Sequence, residues 1–575
     1  MNDTKSKERL LEQVSRETLM EFTENIASEV RLSGSEEEWR AFLYAKEKLD
    51  EFGLKTNLYK KKAFISLPLS AELNVSGISY LAITHSMAPS TPEDGVGGEL
   101  IYIGEGSDKD YSSHDVRGKI VLVDGLAIPG AVKQAGDHGV CGIVFINADY
   151  THEMIVSTVW GNPTPEKKDQ YPRIPVVSVN YSDGLKIKQQ LSVNSDVPVW
   201  FKTKVDTGWR EIPTLEAVKE GDTEEFVLFS GHIDSWHLGA MDNGTANATM
   251  LEVARIMSSE RLSRTLKVVF WSGHSHGRYA GSALYCDEHW EELYDSCVLH
   301  VNIDSVGGKG SVVLSEGNGM AETKELAREV IKEQTGEIYE GSRFGRAGDQ
   351  SFWGPGVPSL LMGLSEQTPA DTPASAAFSR LFGGGKGGGF GWWWHTIEDT
   401  LDKIDPELLE RDCRIYLSIV HLVCTRKLLP LDQRKAVEEI LGHLRNYQVE
   451  APQFSGLAQA IQKAASLKEW VDKIYEEIDT SEQTLNTKKI AEINKWLHSL
   501  SKGLVRLNYV GKDEFDHDPA AAQVSIPLLA DIWKLKEVFA DPEETYLYET
   551  SIVRNLNKVN HILKLLVNKT KSIQV

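Results

Sequence analysis

Gly231-His232-Ile233-Asp234-Ser235-Trp236, followed closely by Gly239-Ala240-Met241-Asp242-Asn243-Gly244, is the stretch on which the fold turns. The apolar run Phe226–Ser230 precedes it and the helically spaced run Thr245–Met257 follows it, so its polar residues lie between a buried strand and an amphipathic helix. The same order of strand, glycine-containing loop and helix returns in Leu266–Trp271 before Gly281–Trp290 and in Val298–Ile303 before Glu322–Thr335, with a further strand at Ser359–Met362. Such alternation predicts an α/β fold, a sheet covered by helices on both faces, with ligands at the carboxyl ends of its strands.

Outside this core the pattern changes twice. From Arg16 to Leu54 apolar residues recur at helical spacing (Leu19, Phe22, Ile26, then Trp39, Phe42, Leu43, Ala45, Leu49) around the interruption Ser33-Gly34-Ser35, which predicts two helices. Between Ala63 and Thr203 short β runs take over, at Leu100–Ile103, Lys119–Val123, Gly142–Ile146 and Ile174–Val179, with one helix-like piece at Ala131–His138. After Leu429-Pro430 the strands stop and the chain reads as helices. Ile552, Leu556, Val559, Leu563 and Leu566 form a single apolar seam there, which calls for a partner helix and leads to the expectation of a homodimer through this region. The expected division is a core of residues 1–62 and 206–430, a β-rich insertion of 63–205 and a helical domain of 431–575. The run Gly383–Gly389, broken only by Lys386, lacks the strand, the hydroxyl residue and the helix of a phosphate loop and reads as a mobile loop.

Composition narrows the function. With 62 Lys+Arg against 84 Asp+Glu the formal charge is −22, which argues against nucleic acid or an anionic membrane surface as partner. The 575 residues, 41% of them hydrophobic, suffice for three or four domains with cores of their own. No run reaches the ~18 apolar residues of a membrane span, and a charged rather than apolar beginning leads to the expectation of a cytoplasmic protein. Cys141, Cys286, Cys297, Cys413 and Cys424 are odd in number and scattered, indicating neither a disulfide framework nor a thiolate metal site.

The residues able to do chemistry fall at strand ends. His232 and Asp234 follow the first core strand, Asp242 precedes the next helix, Asp304 ends Val298–Ile303, and His395 closes a glycine-tryptophan loop. Two imidazoles with two carboxylates are a ligand set for zinc, as one or two ions, and manganese or cobalt accept the same donors. Ions so held activate water and polarise a carbonyl, the requirements of amide hydrolysis.

These segments, in this order and continuing with His395-Thr396-Ile397-Glu398-Asp399-Thr400-Leu401-Asp402-Lys403, resemble the co-catalytic zinc aminopeptidase and carboxypeptidase family, which includes glutamate carboxypeptidase and the non-enzymatic transferrin receptor. The resemblance implies a zinc-aminopeptidase-like core with a mixed sheet. It also implies His232, Asp304 and His395 as metal ligands, Asp242 as a carboxylate bridging two ions, and Asp234 as the acid that orients the His232 ring. It further implies a protease-associated domain around Asp115–Tyr150 and a helical dimerisation tail. Where the family has a Glu-Glu pair, one base and one ligand, this chain reads Phe270-Trp271-Ser272-Gly273-His274-Ser275-His276-Gly277-Arg278-Tyr279-Ala280-Gly281-Ser282. Counting forward from Phe270 puts the pair on His274 and Ser275; counting back from Ser282 puts it on Ser275 and His276. His276 is favoured as replacement ligand and His274 as base, since an imidazole with an ordinary pKa near ~6.5 suits proton transfer at neutral pH.

Arg278 and Tyr279 follow as a carboxylate clamp and an oxyanion donor. Asp349, in Gly348-Asp349-Gln350-Ser351-Phe352, is expected to orient substrate or share a proton, and Trp392-Trp393-Trp394 to wall the pocket with at least one ring in the core. Phe515-Asp516-His517-Asp518-Pro519 reads as turn chemistry. The expected function is metal-dependent hydrolysis of a small peptide or amide. The competing expectations are a non-catalytic binding dimer, as in the transferrin receptor branch, and a metal-dependent enzyme acting on a non-peptide substrate.

Overall fold

The computed structural model describes residues 8–573 except 195, 316, 373–374, 377, 379–386, 482–484 and 539–540. Most of the glycine run therefore lies outside the described residues. Two helices come first, α1 (Arg16–Ile26) and α2 (Glu36–Glu51), their amino ends capped by the hydroxyls of Ser15 and Ser35, which accept from the amides of Thr18 and Glu38. They lead into β1 (Lys55–Val75), a strand of 21 residues that runs antiparallel to β2 (Pro198–Lys219) over almost its whole length. The core sheet continues with β3 (Thr223–His232), β4 (Arg264–Trp271), β5 (Cys297–Asn302) and β6 (Ser359–Leu360), in the spatial order β6-β5-β3-β4-β2-β1. The first four are mutually parallel and the last two antiparallel, a mixed sheet.

Alternation along β3 sets the layers. Val227 and Phe229 enter one cluster together with Met250 and Tyr416, while Phe226 and Leu228 enter another with Tyr285 and Leu293. The flanking helices are α3 (Ala246–Met257), α4 (Ala280–Glu288), α5 (Trp290–Ser296) and α6 (Pro406–Thr425); α3 and α6 supply the first cluster, α4 and α5 the second. Burial on both faces is what a parallel strand between two helical layers requires, and each of these large side chains contributes ~2 kcal/mol on leaving water.

β1 and β2 extend beyond the core. At their far end Val96–Tyr102 pairs with Pro198–Phe201, and the parallel strands Ile120–Asp124, Gly142–Ile146 and Val176–Val179 build the insertion from there. The expected limits near 62 and 206 thus fall inside two continuous strands. Composition shifts where strands change partners, and here the strands do not end at that point. A register shift at Pro68/Ser70 takes up the proline, which has no amide to give the ladder.

The tail consists of α7 (Gln433–Glu450), α8 (Ser455–Ser481), α9 (Thr487–Tyr509) and α10 (Pro542–Lys571), with a short helix at Asp531–Glu537 before the last. The seam on α10 is buried, but inside its own chain: Gly456 of α8 lies against Leu556, Gly503 of α9 lies against Leu566, and the Asn560 amide donates to the Gly456 carbonyl at 2.9 Å. The seam therefore has its partner helices already and gives no ground for a dimer. All five cysteines are free, and among the described residues no helix is long and apolar enough to cross a membrane. The Phe515–Pro519 segment joins the three parts: Asp516 pairs with Lys167 of the insertion, and His517 lies 2.9 Å from Asp287 of the core.

Candidate metal centre

β3 ends at His232 and the chain then turns through a loop held from beneath by Arg31. This fully buried guanidinium donates to the carbonyls of Ile233 at 2.8 Å, Leu238 at 2.7 Å and Gly239 at 3.1 Å, and burial lowers its pKa to about 10, leaving it charged at neutral pH. Gly239 adopts φ +53°, and a Cβ there would stand 2.3 Å from the Asp242 carbonyl oxygen. The Asp399 carboxyl accepts from the amides of Met241 and Asp242, both at 2.9 Å, and burial raises its pKa to about 7. The Asn247 amide donates to the His232 carbonyl at 2.7 Å, and the Asn243 side-chain oxygen accepts from the Ser305 amide at 3.1 Å, so the ends of β3 and β5 are tied to the start of α3.

This frame fixes the two histidines. Nδ1 of His232 lies 2.9 Å from the Asp234 carbonyl and Nδ1 of His395 lies 2.7 Å from the Glu153 carbonyl. A carbonyl only accepts, so in both rings Nδ1 carries the hydrogen and Nε2 presents a lone pair. The Asp242 carboxylate stands between them, Oδ1 3.3 Å from Nε2 of His232 and Oδ2 3.0 Å from Nε2 of His395. Asp304 Oδ2 lies 3.6 Å from Nε2 of His232. Two ligands of one tetrahedral zinc ion stand about 3.3 Å apart. Nε2 of His232 is buried without a hydrogen-bond partner, and although burial opposes it, Asp234, Asp242 and Asp304 hold this imidazole well above its ordinary pKa. The surroundings favour positive charge at this point, and the donors fit a divalent ion. Asp234 stays ionised beneath, its oxygens accepting from the Ser33 hydroxyl at 2.6 Å and the Ser275 amide at 2.8 Å.

The segment after β4 is built differently. Gly273 has φ +75°, a short turn covers His274–Gly277, and Arg278 and Tyr279 both adopt positive φ, +51° and +67°. Two consecutive left-handed non-glycine residues close this turn. The His274 ring stacks on His232 with centroids 3.8 Å apart; its Nδ1 is 2.9 Å from Asp349 Oδ2 and its Nε2 3.9 Å from Asp304 Oδ2. His232, His274 and Asp304 offer ligand atoms all within 4.8 Å of one another. His276 sits elsewhere: fully buried, its Nδ1 is 2.9 Å from the Ser33 hydroxyl, its ring packs on Trp236, and burial lowers its pKa to about 4. The structure thus brings His274 to the cluster and keeps His276 in the layer beneath Asp234. Asp349, fully buried, accepts from Ser282 at 2.8 Å; burial opposes its charge, yet His274 holds it below the usual carboxylate range.

A cavity of about 130 Å³ opens over these residues, walled by Met154 and Ile155 of the insertion and by Trp236, Met362, Phe390 and Trp394. Arg278 and Tyr279 line it too; Tyr279 meets His274 edge-on, and the Arg278 Nε is buried without a hydrogen-bond partner. The three tryptophans diverge: Trp394 stacks on His395, Trp393 is buried with its indole NH against the Met241 sulfur, and Trp392 stacks on Tyr150. Three supporting residues escape a sequence reading. Asp399 stands inside the His395–Lys403 segment, where a carboxylate three residues after Thr396 was the available signal. Arg31 and Glu153 act on or through backbone carbonyls, which leave no side-chain pattern.

Residues 214–420 match the profile of Peptidase family M28, and residues 94–187 match that of the PA domain. The chain is 23% identical over 377 residues to Aminopeptidase YwaD of Bacillus subtilis (strain 168), covering 64% of this chain and 76% of that protein. It is 25% identical over 355 residues to Leucine aminopeptidase 2 of Arthroderma otae, covering 58% and 68% respectively. Among solved structures, BSAP, a zinc aminopeptidase from Bacillus subtilis, superposes with a TM-score of 0.54 at 19% identity, covering 72% of this chain and 96% of that one.

Proposed function

The chain is a divergent member of peptidase family M28 that also carries a PA domain, and on that premise we propose that it is a metal-dependent hydrolase of a peptide or amide bond in a small substrate. The observation that carries this reading is the Asp242 carboxylate set between the Nε2 atoms of His232 and His395, one at each oxygen. His232, Asp242 and Asp304 would hold a zinc ion, or manganese or cobalt. Asp242 and His395 alone remain for a second, because Ser275 stands where a carboxylate would complete that site. The bound ion supplies an activated water, with a pKa lowered toward ~7, and a polarised carbonyl. His274, its Nδ1–H held by Asp349, presents Nε2 to accept the proton of the attacking water and to return it to the leaving nitrogen. The Arg278 guanidinium anchors a substrate carboxylate and the Tyr279 phenol donates to the carbonyl oxygen. The size of the cavity and its apolar wall favour a small substrate with an uncharged side chain.

One observation favours a second reading: among the described residues no glutamate lines the cavity, and a binding protein on the same fold would need none. Elemental analysis of the purified protein beside the double variant His232→Ala, Asp242→Ala, with turnover of aminoacyl anilides and short peptides, separates the two. Hydrolysis expects one ion per chain, lost in the variant, with activity abolished by a chelator and restored by zinc. An ion without turnover leaves the binding reading, and no ion after zinc, manganese or cobalt is supplied overturns both uses of the centre.

A further inference from the structure

A cavity much larger than the one over the metal centre lies elsewhere. It measures about 1050 Å³ and lies where α5 of the core meets α9 and α10 of the tail. In a chain with 62 basic against 84 acidic residues its wall reverses the balance, with six Lys and Arg against four Asp and Glu. Among the described residues, Lys495, Lys502, Lys558 and Lys569 have no carboxylate within ion-pair distance. The Lys502 ammonium rests over the Tyr294 ring at 3.8 Å. Arg506 is aimed from the same side: its Nε donates to the Gly354 carbonyl at 2.7 Å, Glu514 is 3.6 Å from Nη1, and Nη2 is buried with no hydrogen-bond partner.

Like charges gathered without counter-charge repel and destabilise the fold that gathers them. The effect is visible at Lys502, whose pKa burial lowers, together with Lys569, Arg506 and Lys495, to about 8 even though Asp295 opposes. Burial and Lys495 likewise lower Lys569. A single carboxylate is too small to satisfy ammonium groups spread around a space of this volume, whereas a chain of phosphoryl groups carries several anionic oxygens and meets lysines as point charges. The volume suits a ligand of nucleotide size.

We propose that this cleft binds a small molecule bearing two or more phosphoryl groups in a row, either free polyphosphate or the phosphate chain of a nucleotide, and that the ligand braces the helical tail against the core. The test is calorimetric titration of the full-length, zinc-loaded protein with inorganic tripolyphosphate and with adenosine triphosphate, both as magnesium complexes, beside Lys502→Ala with Lys569→Ala and beside Lys502→Arg. The proposal expects saturable binding, at least about tenfold weaker in the double alanine variant and little changed in the arginine variant, which retains the charge. It also expects the ligand to raise the melting temperature of the parent and of the arginine variant, and to raise that of the double alanine variant less. Tighter binding of the nucleotide names a nucleotide; equal binding names the polyphosphate chain. Absence of saturation for both anions overturns the proposal, as does binding unchanged in the double variant, which would place the anion at the metal centre. Loss of a dimer in that variant by sedimentation, without anion binding to the parent, overturns it in favour of an acidic face of a second copy.

Discussion

The two sides of the small cavity follow opposite rules. On the side of His232 and His395, each Nδ1 meets a backbone carbonyl, so the tautomer of the neutral ring is fixed with its lone pair on Nε2. On the side of His274 the same ring atom meets the carboxylate of Asp349, which can steady a charged ring as well as a neutral one. The backbone differs in the same sense. Asp242 is clamped through Asp399 and by the loop that Arg31 holds, whereas His274 sits in a short turn bounded by left-handed residues. On the proposed function, the first side would hold an ion and the second would let a proton come and go.

The comparison breaks most visibly at Asp242. Asp242→Ala removes the carboxylate both histidines face, and kcat/KM is expected to fall on the order of 10⁴-fold with loss of the ion by elemental analysis; activity lost while the ion stays would show that Asp242 is not a holding residue. Next, His274→Ala is expected to lower kcat by about 10²–10⁴-fold with the ion content unchanged. Loss of the ion instead would move His274 to the holding side, as its nearness to His232 and Asp304 permits.

A smaller effect, about 10–100-fold, is expected for Asp349→Asn. Asp349 is ionised, held below the usual range by His274 although burial opposes, and its carboxylate faces Nδ1 of that ring at 2.9 Å. Asparagine keeps the shape without the charge, so kcat is expected to fall with ion content unchanged; loss of the ion by elemental analysis would place Asp349 on the holding side. The smallest change in rate, within about tenfold, is expected for Ser275→Glu, which adds a carboxylate to the cavity that Asp242 and His395 also line. Its readout is ion content rising from one toward two per chain.

The stretch from Phe226 to Met257 was legible because a continuous apolar run gives way, across a glycine loop, to apolar residues at a period of about 3.6, and the Gly142–Ile146 strand appears with the limits its apolar run suggests. β1 was not legible: Lys60-Lys61-Lys62 and Pro68 break the apolar alternation, and much of this long ribbon is exposed. The seam on α10 was legible as a buried face, but periodicity gives a face and not the identity of what covers it. The ligands could be read as residue types at strand ends. The different surroundings of His274 and His276 could not, because two histidines two apart exchange places on a shift of one position, and only the fold shows His274 stacked on His232 and His276 against the Ser33 hydroxyl.

The way β1 and His395 are held has a consequence in time. Lys55 pairs with Val218, and Glu153 both donates its amide to the His395 carbonyl at 2.9 Å and accepts from the His395 ring. On a ribosome β1 therefore emerges well before the strand that completes it, and during that interval its lysine triplet, unhelpful to a reader of the sequence, discourages pairing with other chains. His395 is the last of the four candidate ligand residues to be made, and its ring settles only against a part of the chain that is already in place. A polypeptide interrupted before residue 395 can finish the sheet and carry His232, Asp242 and Asp304, yet it leaves the second carboxylate oxygen of Asp242 without the imidazole that faces it in the finished core.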